Sequence, residues 1–129
     1  MFSHIMIGSN NIEESKQFYD AVLGTLGCKP GVSVPNLSGQ IRYFYFKDKD
    51  VFIITEPING EPASHGNGAT IGFGVTDPSI GDAWHAAGLA NGGKSIEDPP
   101  GIREGHGYKM YLAYLEDPSG NKLCTIQQL

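Results

Sequence analysis

Apolar residues along the chain fall into two periods, and the order in which those periods follow one another is told twice. "SHIMIG" is a short apolar run bounded by "SNN", which predicts a strand over residues 2–8. Asn10 or Asn11 then caps a helix. Glu13 and Glu14 sit in its first turn, where the dipole favours carboxylates, and Ser15, Phe18, Tyr19, Val22 and Leu26 form one helical stripe that ends near Gly27. Three strand-like runs follow: a weak one at "GVSV", then "QIRYFYF" and "VFIIT" on either side of the polar turn "KDKD". "INGEPASHGNG" is a polar connector rich in glycine.

After the connector the pattern returns. "ATIGFGV" predicts a strand, Asp77 a cap with Pro78 in the first helical position, and Ile80, Trp84, Ala87 and Asn91 a helical stripe closed by "NGG". "KSIED", "HGYKMYLAYLE" and "KLCTIQ" supply three more strands, the first of them weak. A shift of 66 residues superposes Ile5 on Ile71, Ile7 on Phe73, Gly8 on Gly74, Phe18 on Trp84, Ala21 on Ala87 and Gly27 on Gly93. Neither half can bury its sheet alone, so duplication of a unit that must pair is the physical reading. The expectation is one α+β domain of two tandem βαβββ modules, residues 1–60 and 69–129 around a connector at 61–68, whose sheets together wall a cleft.

Composition narrows the partners. At 129 residues, with 40% hydrophobic and 18% charged positions, the chain can build one core, and no apolar run is long enough for a membrane helix. A net charge of −5 with nine thinly spread Lys and Arg excludes a nucleic-acid face. Cys28 and Cys124 are far apart, with no CxxC spacing of a zinc knuckle or redox motif. "MFSHIMIGSNN" has no basic n-region, so the expected compartment is cytoplasmic.

With "HIMIGSNNIEESKQFYDAVLG" at its start and "YLAYLEDPSGNKLCTIQ" at its end, the chain resembles the vicinal oxygen chelate superfamily, which includes glyoxalase I, fosfomycin and bleomycin resistance proteins and extradiol dioxygenases. The likeness covers essentially the whole chain. It implies a divalent ion in the cleft, held by ligands from the first and last strands of each module, that acts as a Lewis acid on vicinal oxygens. It also implies a homodimer.

Residue by residue, the resemblance carries over unevenly. His4 matches the first-strand histidine, and strand alternation puts it with Met6 on the face opposite Ile5 and Ile7. The matching position in the second module is Thr70, and the last-strand carboxylate falls on Cys124. Glu56 is the candidate acid of the first module, although an alignment of "VFIIT" with the family pattern puts the acid position at Ile53. The metal candidates are therefore His4 and Glu56. Met6, Thr70, Arg103, Tyr111 and Cys124 are candidates for contacting substrate. Arg103 arrives on the loop "PPGIREGHGYKMY" as an anion clamp, and His106 on the same loop, like His4, is a candidate proton-transfer group. Two functions follow: a protein that binds a small molecule in a cleft with a degenerate ligand set, or a metal-dependent lyase, isomerase or dioxygenase. A metal-free enzyme using His4 or His106 as base is a third.

Overall fold

A computed structural model describes residues 1–129. Helix α1 (Ile12–Gly24) starts where Asn11, in extended backbone, accepts the Glu14 N–H on its side chain, and helix α2 (Pro78–Ala90) starts where Asp77 accepts from Ser79. Gly27, at φ 94°, lies beyond α1 in the left-handed conformation that suits glycine, and the Cys28 N–H returns to the Leu23 carbonyl. The helix thus stops three residues before the end that its apolar stripe suggests.

Strands β1 (Ile5–Gly8), β2 (Val32–Ser33), β3 (Arg42–Lys47) and β4 (Asp50–Thr55) form one sheet in the order β1-β4-β3-β2. The second sheet holds β5 (Ile71–Gly74), β6 (Lys94–Ser95), β7 (Gly101–Gly105), β8 (Tyr108–Glu116) and β9 (Lys122–Gln128). It runs β5-β9-β8, with β6 and β7 both paired to the far side of β8. In each sheet the first strand lies parallel to the last, β1 on β4 and β5 on β9. The repeat is strict: α1 and α2, like β1 and β5, begin and end 66 residues apart.

One strand departs from the expected plan. The segment read as a loop carrying Arg103 and His106 is β7, paired from Gly101 on Leu112 to Gly105 on Tyr108. His106 and Gly107 close this hairpin as a two-residue turn, both at positive φ, 50° and 82°. The second module is therefore βαββββ. Glycines at both ends and a single apolar residue, Ile102, conceal β7 from any reading by hydrophobic alternation.

Both helices lie against one core. Phe18, Tyr19, Val22 and Leu23 of α1 and Trp84 of α2 are buried with Tyr45, Phe52 and Ile54 of the first sheet and Ala113, Leu115 and Leu123 of the second. Phe52 meets Phe73 edge-on with ring centroids 5.6 Å apart, so side chains of the two sheets touch directly. The turn "DPSGN" ties the modules together. Asp117 is buried and accepts the Tyr19 hydroxyl at 2.6 Å, and Asn121 donates to the Gly8 carbonyl at 3.1 Å. No helix is long and apolar enough to cross a membrane.

Candidate functional site

With the helices on one side, strand alternation fixes what faces the other. In the first sheet Phe52 and Ile54 point into the core, so Ile53, its neighbour Met6 on β1 and its neighbour Phe44 on β3 point away from the helices. In the second, Leu115, Ala113, Leu123 and Thr125 face the helices; Leu112, Tyr114, Lys122, Cys124 and Ile126 face away, and so does Arg103 through its pairing with Met110. We call these surfaces the open face.

The open faces meet at a seam between β1 and β5. His4 directly precedes β1 and lines a cleft of about 290 Å³ with Ile71, Gly72 and Phe73. At the other end of the seam Met6 shares a cleft of about 220 Å³ with Thr70, His65 and Lys122. Gly72 lies beside Cys124, where a β-carbon would stand 3.3 Å from the thiol sulfur. His4 thus lines one end of the seam, Met6 and Thr70 line the other, and Ile53 and Cys124 stand on the strands paired to β1 and β5. His4 is exposed, and its Nδ1 lies 2.8 Å from the Ser3 hydroxyl.

Three candidate residues stand elsewhere. Ile5 pairs with Phe52 and Gly8 with Thr55, so His4 precedes one end of this ladder and Glu56 follows the other, roughly 16 Å away along the strand at about 3.3 Å per residue. Glu56 instead accepts the Ile41 N–H at 2.7 Å and closes the end of β3. No ion can bridge His4 and Glu56. Tyr111 points towards the helices, is 2% exposed and donates its hydroxyl to Asp82 of α2 at 2.7 Å; burial and that carboxylate push its phenol pKa up. It belongs to the core. His106 is exposed at the tip of the β7–β8 hairpin, and its side chain makes no hydrogen bond there.

Arg103 does reach the open face. Its Nη2 donates to the carbonyls of Asp98 and Pro99, at 3.1 and 2.9 Å, and Nη1 lies over Gly101, where a β-carbon would stand 3.6 Å away. Two partners escaped the sequence reading. Glu97 forms an ion pair with Lys122, and the Lys122 ammonium sits 5.0 Å from the centroid of the Tyr114 ring. Alternation from Cys124 through its β8 partner Tyr114 would have revealed the tyrosine once the strand register was known. Burial pushes the Cys124 thiol pKa up, and Lys122 pulls it down by less.

The four positions where the family resemblance expects ligands hold an imidazole, an alkyl group, a hydroxyl and a thiol with a raised pKa: His4, Ile53, Thr70 and Cys124. Divalent ions in such clefts take deprotonated or neutral lone-pair donors, several at a time. Nowhere in the structure do three His, Cys, Asp or Glu residues gather closely enough to hold one. The donor set does not fit the ion.

Comparison with known proteins agrees with the fold. Residues 1–125 match the family described as Glyoxalase/Bleomycin resistance protein/Dioxygenase superfamily. A glyoxalase/bleomycin resistance protein from Albidiferax ferrireducens T118 is 57% identical, with 98% of this chain and 97% of that one covered at a TM-score of 0.86. A glyoxalase/bleomycin resistance protein/dioxygenase family enzyme from Burkholderia phytofirmans PsJN shares the fold at 19% identity, with 98% of both chains covered and a TM-score of 0.70. Glyoxalase I from Zea mays does so at 22% identity and a TM-score of 0.71; 97% of this chain covers 45% of that one. No curated protein matches the sequence.

Proposed function

The chain belongs to the Glyoxalase/Bleomycin resistance protein/Dioxygenase superfamily, and on that premise we propose that it binds a small organic molecule on the open face, along the seam between β1 and β5, without a chelated ion. One observation carries the reading: of the positions where the family resemblance expects ligands, His4, Ile53, Thr70 and Cys124, two hold an alkyl group and a neutral hydroxyl, and no third His, Cys, Asp or Glu joins His4 and Cys124 to complete an ion site. Gly72 and Gly74 support it, because β5 presents backbone where a side chain would fill the face. A buried thiol beside a glycine makes a soft, shape-selective wall. Exposed Val32 and Phe46 on the first sheet, with Val34 just beyond β2, support a homodimer, to be read as a two-chain mass by light scattering; a single-chain mass overturns that part.

The test is a thermal-shift screen of small organic molecules in excess EDTA. A ligand that binds only the folded state stabilises it by about 2.7 kcal/mol at a hundred times its Kd, a rise of several degrees in Tm. The expected result is a stabilising compound whose effect survives EDTA and is abolished by Gly72→Leu. Stabilisation that appears only with zinc, nickel, manganese or iron(II), and vanishes in His4→Ala, would replace this reading by metal-dependent lyase, isomerase or dioxygenase chemistry.

A further inference from the structure

On the open face of the second sheet, Lys122 and Arg103 are in different states. Lys122 is neutralised by Glu97 and covers one side of the Tyr114 ring. Arg103 faces no carboxylate: its partners are two backbone carbonyls, both served by Nη2, and the Nη1 and Nε donors find no acceptor within the chain. On a chain of net charge −5, this is a guanidinium held in place and left uncompensated. A glycine at 101 keeps the way to Nη1 clear.

Around it stand apolar side chains, two of them, Leu112 and Cys124, buried. Leu112, Tyr114, Cys124 and Ile126 share the face of Arg103, and Gly72 and Gly74 continue it on β5 without side chains. Strands spaced by about 4.8 Å put two strand widths, roughly 10 Å, between β7 and β9. That is the length of a one- or two-ring molecule whose acidic end lies on β7. A planar guanidinium presents paired N–H donors to a carboxylate, and a half-buried aromatic side chain with a thiol beside it receives the face of a ring.

Deepening the proposed small-molecule binding, and resting on it, we infer that the ligand of this face is a small aromatic carboxylate, its acid group on Arg103 and its ring over Tyr114 and Cys124. The position of Arg103, and not the ion that the family resemblance implies, sets its orientation.

The experiment uses 1-naphthoate and its uncharged counterpart 1-naphthamide as probes of the full chain. Binding is followed by titration calorimetry and by the backbone amide shifts of Gly72, Tyr114 and Cys124. The expected outcome is that naphthoate binds at least tenfold more tightly than the amide, that Arg103→Met removes this preference by weakening naphthoate far more than the amide, and that Arg103→Lys retains part of it. The lysine variant keeps the test open if the methionine variant folds poorly, since it preserves the charge. Equal binding of both probes at these amides, insensitive to residue 103, would overturn the carboxylate assignment while leaving the open face as a binding site. Absence of any shift at Gly72, Tyr114 and Cys124 with either probe would overturn the assignment; only a failed screen in EDTA would remove the broader reading.

Discussion

His85 shows how burial turns a surface-looking residue into a pH-sensitive one. It sits in α2 beside Trp84, is buried, and has Nε2 3.0 Å from the Ser95 hydroxyl. Burial lowers its pKa, and Asp82 raises it by less, so the folded protein favours the neutral ring. A depressed folded value means that this contribution to stability is complete above the unfolded value of about 6.5 and is lost as pH falls through the folded one. Urea unfolding at about pH 7.5 and about pH 5 should therefore show a smaller acid loss in His85→Gln than in the parent. An equal loss in both would place the acid sensitivity on carboxylates alone. Burial acts on the thiols as well. Cys28 and Cys124 both have raised pKa values, and Cys124 is the more deeply buried. Timed alkylation at neutral pH should label Cys28 first and Cys124 slowly; rapid labelling of Cys124 would mean that the open face activates it.

Among the elements, the two helices repeat each other in length and differ in what their glycines do. Gly88 of α2 faces inwards, where a β-carbon would stand 2.3 Å from Leu115 Cδ1 and 3.3 Å from both Phe18 and Val22. Gly24, at the end of α1, has nothing within 4 Å of that point. Helix propensity alone makes alanine better than glycine by about 1 kcal/mol, and overpacking a closed core costs about 1–3 kcal/mol. Leu115 is fully buried within the core cluster, so it must shift against its packed neighbours. Gly88→Ala should thus lower stability by about 1–2 kcal/mol, whereas Gly24→Ala should leave it unchanged or raise it by up to about 1 kcal/mol; denaturant midpoints decide. A rise in Gly88→Ala would show that the interhelical contact repacks.

The same elements show what a sequence carries locally and what it does not. Caps at Asn11 and Asp77 and the 66-residue shift are local or periodic, and the structure keeps them. The side of Met6 follows from alternation because its neighbour Ile7 packs against the core, whereas Ile5, at the start of the strand, is exposed. Strand β7 was illegible because backbone pairing, with scarcely any apolar alternation, defines it. Glu56 was misplaced for a related reason: its distance from His4 depends on the β1–β4 register, which no single strand encodes. Tyr111 and Tyr114 differ by three residues on one strand, so only one of them can lie on the open face, and the choice rests on which of β8's faces meets α2.

At the scale of the whole molecule, the repeat makes a stronger claim than any one site residue. If the two modules of a single chain bring His4, Ile53, Thr70 and Cys124 around one seam, the missing ion is a matter of side chains and not of backbone. Installing them as Ile53→Glu, Thr70→His and Cys124→Glu beside the existing His4 should then create an ion site. Ile53 is 3% exposed, so a carboxylate there without an ion is costly, and the metal-free triple variant should be markedly less stable than the parent. Zinc would supply the partner that this buried charge lacks and, binding the folded state alone, should return most of the lost stability. Elemental analysis should find about one zinc per chain in the triple variant and none after His4→Ala in the same background. A triple variant that stays unstable and empty in zinc would mean that the seam holds the four positions beyond coordination distance. Zinc retention with recovery of Tm would show that this fold keeps the geometry of a metal centre.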